Sequence, residues 1–256
     1  MYIYILLIGH FISDFFFQSS KMAELKKKKF KFLFVHCVIY AITFLIINII
    51  CLTPIIALKI TAIISTIHFV VDFARCKIDN KIKLPMVQFI SFIVDQIIHI
   101  GLILIVYGYF SLESNINGFY NKLSAFSLFE SIILYSFLFC LLLNPASVFI
   151  KKLLSTLFVS GMPKSQKGKK QGKDDNNLNI SSNQNIGSTI GMLERAITAV
   201  LLLCNQYAAI GLVLTAKSIA RFKQLEEQDF AEKYLIGTLT SLTISLIVTL
   251  IIKNLL

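Results

Sequence analysis

A histidine and an aspartate four residues apart recur three times in this chain. The pairs are His10–Asp14 in "GHFISDFFFQ", His68–Asp72 in "HFVVDFARCK" and, in reverse order, Asp95–His99 in "DQIIHIG". His36 completes the set of four histidines. Residues at i and i+4 share one face of a helix, so each pair presents an imidazole and a carboxylate together. Neutral imidazole and carboxylate are the usual nitrogen and oxygen donors to Zn, Mn or non-haem Fe. The same groups can also satisfy one another in a hydrogen-bond or proton-relay network. A lone pair of this spacing is common, and His36 at the start of a helix reads by itself as a satisfied structural residue. It is the recurrence that points to a shared site.

The elements that carry these residues are membrane helices. The chain has 256 residues, 56% of them hydrophobic, with a mean hydropathy of +0.74. That exceeds the 45–50% typical of soluble domains. A helix needs ~20 apolar residues to cross a bilayer. The expected spans are 2–19, 32–52, 55–75, 86–110, 128–150, 188–204, 206–222 and 234–252, an all-α polytopic fold of eight segments in a 5 + 3 arrangement. Residues 1–160 form a five-helix block and 188–256 a three-helix block. Between them, 161–187 is rich in Lys, Gly, Ser, Asn and Gln and reads as a flexible basic linker. The N-terminus lacks the basic region and small-residue site of a signal peptide. The five cysteines, at 37, 51, 76, 140 and 204, form no CxxC and read as small hydrophobes.

The net charge of +11 does not indicate nucleic acid. Lysine and arginine cluster in alternate loops: "KMAELKKKKFK" (21–31), "RCKIDNKIK" (75–83), 151–173 and "RFK" (221–223). This is the positive-inside pattern and places the basic loops in the cytoplasm, as solvated charge. Under that topology spans one and three run toward the cytoplasm and span four away from it. In each pair the histidine is then deeper than its aspartate. At ~1.5 Å per residue, Asp14 and Asp72 lie ~6–10 Å in, with His10, His68 and Asp95 at ~12–16 Å and His99 deeper. His36 is shallow. An Asp in mid-membrane costs ~2.5–3.5 kcal/mol, so these groups are expected to face one another inside the bundle. Gln18 and Gln96 border the same slab as supporting amides.

The C-terminal block carries a second polar group. Glu194 and Arg195 lie in "GSTIGMLERAI", and Lys217 and Arg221 in "LTAKSIARF". One reading is helix-fixing ion pairs and snorkelling, with Gly187, Gly191 and Gly237 allowing close approach. The other is a cationic pocket for an anionic head group or phosphate.

At these motifs the sequence resembles a bacterial integral-membrane family of uncharacterised function, DUF3307. The resemblance rests on "GHFISDFFFQ", His36, "HFVVDFARCK" and "DQIIHIG", and in the second half on "IGMLERAI", "AIGLVLTAKSIARF" and "YLIGTLTS". It implies a multi-pass protein of the bacterial inner membrane and supplies no reaction. A more distant similarity, in style, is to membrane-bound metal-dependent hydrolases with His and Asp on transmembrane helices.

The function expected from the sequence is a metal-dependent hydrolase acting near the cytoplasmic head-group region on a lipid or lipid-linked substrate. His10, Asp14, His68, Asp72, Asp95 and His99 would hold a divalent ion (Zn, Mn or Fe). Asp95 or His36 would act as general base toward a metal-activated water. Lys217, Arg221, Glu194 and Arg195 would hold the substrate's anionic group. Six ligands exceed one zinc site, so some would orient the others. The alternatives are a non-catalytic membrane subunit with a structural polar network and a cytoplasmic protein partner, and a proton- or metal-coupled carrier. Against the carrier stands the scarcity of helix-breaking proline in the spans.

Overall fold

The computed structural model describes residues 1–159 and 176–256, with side chains for 1–158 and 187–256. Among the described residues the chain is all-α; the one pairing of β type is a single bridge, Leu52 to Ile116. Five segments are long and apolar enough to cross a membrane: Phe30–Cys51, Pro54–Lys81, Pro85–Tyr109, Phe129–Phe158 and Gln228–Lys253. Contacts divide the chain into two compact units, Met1–Cys140 and Leu141–Leu255. That division falls within the fifth span rather than at 160.

In the first unit, α1 (Tyr2–Phe11) runs into a π-turn (Ile12–Phe16) and then breaks. Phe17 N–H donates to the Ile12 carbonyl five residues back, at 3.0 Å. The chain restarts as α2 (Ser20–Lys28), bent by 81° from the preceding segment. Ser19 caps α2, its hydroxyl accepting from Met22 N–H at 3.2 Å. The span expected over 2–19 is thus a broken one, and the basic stretch expected as a solvated loop is a helix. Three long helices follow: α3 (Phe30–Cys51), α4 (Pro54–Lys81) and α5 (Pro85–Tyr109). Proline in the first turn of α4 and α5 occupies a position where its missing N–H costs nothing. α6 (Gly118–Ser124) is capped by Asn117, whose side chain also donates to the carbonyls of Ile49, Ile50 and Leu52 and so ties off the end of α3. α7 (Phe129–Leu142) closes this unit.

These helices are inverted relative to a soluble bundle. On α3, His36, Tyr40, Phe44 and Asn48 are buried at four-residue spacing, while Ile42, Ile46 and Ile49 are half or more exposed. On α5, Asp95 and His99 are buried, while Ile97 and Ile105 are 64% exposed. Polar groups inside and apolar groups outside is the arrangement hydrocarbon solvent selects.

The second unit contains α8 (Asn144–Val159), α9 (Asn176–Leu203), α10 (Tyr207–Ala220) and α11 (Gln228–Lys253), with α9 packed on α8, α10 and α11. α9 begins inside the segment expected as linker; 161–175 of that segment lie outside the described residues. The expected seventh span corresponds to α10, which at 14 residues is short for a crossing.

Candidate metal centre

Four segments of the first unit deliver the polar groups. The π-turn carries Asp14 one turn below His10, α3 carries His36 and Tyr40, α4 carries His68 and Asp72, and α5 carries Asp95, Gln96 and His99. A π-turn widens the helix by one residue per turn and is frequent at functional sites. Here it sits at an acidic member of the cluster.

At the centre, the Nε2 atoms of His36 and His68 face each other at 3.2 Å. Asp14 Oδ1 lies 3.5 Å from the first and 3.7 Å from the second. Asp72 Oδ2 lies 3.3 and 3.8 Å from the same two nitrogens. Tetrahedral ligands bonded at about 2.0–2.1 Å stand about 3.3–3.4 Å apart, so each aspartate oxygen lies near the distance from the two imidazole nitrogens that ligands of one ion would keep. Two groups are close enough to share an ion, His36/His68/Asp72 and His10/Asp14/His68, and they have His68 in common. Asp14 Oδ1 and Asp72 Oδ1 are buried without a hydrogen-bond partner. In the usual metal-bound histidine the second ring nitrogen donates to a neighbour. Here Nδ1 of His36 and of His68 has no such partner, a feature in which the pocket departs from that pattern.

Around the centre, Gln96 binds three members at once. Its carbonyl oxygen meets His10 Nε2 at 3.3 Å, and its amide donates to Asp95 Oδ2 at 3.1 Å and Asp14 Oδ2 at 3.5 Å. The Tyr40 ring stacks on His68 with centroids 3.6 Å apart, and its hydroxyl meets His10 Nδ1 at 3.3 Å. His10 and His99 stack at 5.4 Å.

Two cations complete the cluster. Lys26 of α2 reaches Asp72 Oδ2 at 2.7 Å and is itself buried. Arg75 of α4 donates to Asp95 Oδ2 at 2.8 Å and lies over the Phe92 ring. Beside them, Lys27 pairs with Asp79 at 2.8 Å, which with Lys26–Asp72 docks α2 along α4. The cations meet the aspartate ends of the pairs, in keeping with the order cation, carboxylate, imidazole along the helices. With neutral imidazoles, three carboxylates (Asp14, Asp72, Asp95) against two cations (Lys26, Arg75) leave a net charge of −1.

Several expectations are revised by these positions. His36, which by itself read as a satisfied structural residue near the start of its helix, is 1% exposed and faces His68 at the centre of the cluster. Asp95, expected as ligand and base, has Oδ2 engaged by Arg75 and Gln96, while its Oδ1 is buried without a hydrogen-bond partner. His99 turns Nδ1 to its own helix, 2.8 Å from the Asp95 carbonyl, and its Nε2 has no partner. Gln18 lies at the break between the π-turn and α2, and its amide nitrogen is buried without a partner. Lys26 and Arg75, expected as solvated loop charges, are the counterions. The signal for Lys26 was present: after the Ser19 cap, Met22, Ala23 and Lys26 recur at helical spacing, so Lys26 belongs to the docked face.

A family model, "Protein of unknown function (DUF3307)", matches residues 2–127. Over this stretch the chain is similar to the DUF3307 family. The DUF3307 stretch contains every histidine, the three paired aspartates, Lys26 and Arg75. The C-terminal blocks that carried part of the resemblance lie outside it. No curated protein and no solved structure matches the chain.

Beyond the DUF3307 stretch, the second unit holds its own polar group. The Arg195 guanidinium donates to the Leu142 carbonyl at 2.5 Å, the Leu143 carbonyl at 3.1 Å, the Ser241 hydroxyl at 3.2 Å and the Ser147 hydroxyl. These carbonyls belong to the break between α7 and α8, where Pro145 supplies no N–H. Arg195, expected to hold an anion, instead satisfies this break. Glu194 and Lys217 form an ion pair of 2.6 Å, as the helix-fixing reading expected, and Lys217 also donates to Thr238 at 3.1 Å. Arg221 lies over the Phe230 ring.

Proposed function

We propose that the DUF3307 stretch is a divalent-cation-binding membrane unit, with His36, His68, Asp14 and Asp72 as donors. The observation that carries this reading is the position of each aspartate oxygen 3.3 to 3.8 Å from the His36 and His68 Nε2 atoms, which are themselves 3.2 Å apart. A bound ion would supply charge compensation and a cross-link between α1, α3 and α4. The chain's own residues do the rest: Gln96 orients His10 and Asp14, Tyr40 fixes the His68 ring, and Lys26 neutralises Asp72. Of the metals expected, zinc is the one most often held by four such donors.

The hydrolase expected from the sequence is a finer claim and has less support. Catalytic sites keep an open ligand position, whereas the four donor residues are at most a third exposed and the three on α3 and α4 at most 1%. The cavity beside His68 and His99 measures about 10 Å³, at the limit for one water. A second reading, carriage of the cation, is favoured by one observation. Asp14 sits in a π-turn followed by an 81° break, and discontinuous helices frequently form the ion sites of carriers. The scarcity of proline suggested unbroken spans; the break needs none.

The test is metal analysis of the full chain, purified without a polyhistidine tag. About one ion per chain is expected, with loss of most of it in His36→Ala/His68→Ala while far-UV circular dichroism stays unchanged. Equal, negligible metal in both proteins refutes the reading. For metal-loaded protein in liposomes, cation flux selects the carrier and ester hydrolysis the enzyme.

A further inference from the structure

The second unit contains a cavity of about 580 Å³ whose charge is unbalanced. Its walls include five cationic side chains, Lys151, Arg195, Lys217, Arg221 and Lys233, against one carboxylate, Glu194. That carboxylate is already engaged by Lys217, and Arg195 is committed to the α7–α8 break. Lys151, Arg221 and Lys233 remain. They come from α8, the end of α10 and the start of α11, and no carboxylate among the described residues pairs with any of them. Arg221 and Lys233 instead lie against the rings of Phe230 and Phe158, at 5.9 and 5.3 Å. Three cations from three helices held around one cavity repel one another unless an anion joins them. The rest of the wall combines Ile150, Leu154, Ile190 and three glycines with the hydroxyls of Tyr234, Thr238 and four serines, and most of its exposed surface is apolar, which suits an apolar chain beside a polar head group.

We propose that this cavity binds the phosphate head group of an anionic lipid, with Lys151, Arg221 and Lys233 around the phosphate and the apolar wall along the acyl chain. The size is that of an ordinary ligand pocket. The proposal is independent of the metal reading, since the two sites share no residue and lie in different units.

The experiment uses the full chain in detergent micelles, titrated with dioleoyl phosphatidic acid and followed by native mass spectrometry and thermal melting. Saturable binding of phosphatidic acid is expected, with none for phosphatidylcholine. Each lysine near an anionic surface contributes ~1 kcal/mol, so Lys151→Gln/Lys233→Gln should weaken binding about 30-fold. Both lysines are exposed, so the variant should keep the wild-type melting temperature without lipid. The control, Lys28→Gln/Lys31→Gln, removes exposed charge from the other unit and should leave the affinity unchanged. Equal weakening by the control would reduce the effect to general surface electrostatics and overturn the proposal. Displacement of the lipid by inorganic phosphate of similar affinity would overturn it in favour of a soluble phosphate ligand.

Discussion

Replacing Lys26 by methionine separates a metal centre from a self-satisfied network. The lysine ammonium is 2.7 Å from Asp72 Oδ2, with 5% and 1% of the two side chains exposed. Removing one partner of a buried pair leaves an uncompensated charge and costs about 3–5 kcal/mol. Without metal, Lys26→Met should therefore unfold at lower denaturant by that amount. A divalent ion bonded at about 2.1 Å to the same oxygen would stand no more than about 4.8 Å from the ammonium. Even at a water-like dielectric constant of about 80, that repulsion is about 1.7 kcal/mol, a ten- to twentyfold weakening. Zinc should thus bind the Lys26→Met protein at least tenfold more tightly than wild type, and at 1,000 times its Kd restore about 4 kcal/mol. The assay is denaturant unfolding of the micellar protein by circular dichroism, with and without buffered zinc. Zinc affinity unchanged or reduced in the variant refutes the shared-oxygen reasoning. An unchanged unfolding free energy without metal refutes the buried ion pair itself.

Other substitutions follow from the same contacts. Arg75→Met should cost about 3–5 kcal/mol by stranding Asp95, and Arg75→Met/Asp95→Leu should recover most of it, measured as a double-mutant cycle in unfolding free energy. Asn117→Ala removes the α6 cap and the bonds to the end of α3, for a loss of about 1–2 kcal/mol readable in thermal melts. Arg195→Lys should destabilise the second unit by more than 1 kcal/mol despite keeping the charge, because an ammonium cannot span Leu142, Leu143, Ser147 and Ser241 as the guanidinium fork does. Recovery of full stability in the lysine protein would show that charge alone is what the α7–α8 break requires.

How much was legible in advance differs by feature. The long helices were, because unbroken apolar runs of about twenty residues have one stable fate in a bilayer. The three His–Asp pairs were as well, since four-residue spacing fixes a shared face whatever surrounds the helix. The break in the first span was not. "FISDFFFQSS" has no proline, and its interruption follows from a π-turn and the docking of α2 on α4, which are contacts between segments far apart in sequence.

The sequence by itself determined the membrane helices, the inward-facing imidazoles and carboxylates, and the excess of positive charge at the helix ends. These are properties of side-chain type and local period. Only the tertiary structure decided the assignments among them. It set His36 against His68 at the centre of the cluster, tied Asp95 to Arg75, and turned Lys26 from a solvated loop charge into the counterion of Asp72. It also committed Arg195 to backbone carbonyls and left Lys151, Arg221 and Lys233 around a cavity. The physical reason is common to all of these. A buried charge takes whichever opposite charge or carbonyl the packing brings within about 3 Å, and that partner is set by which helices meet.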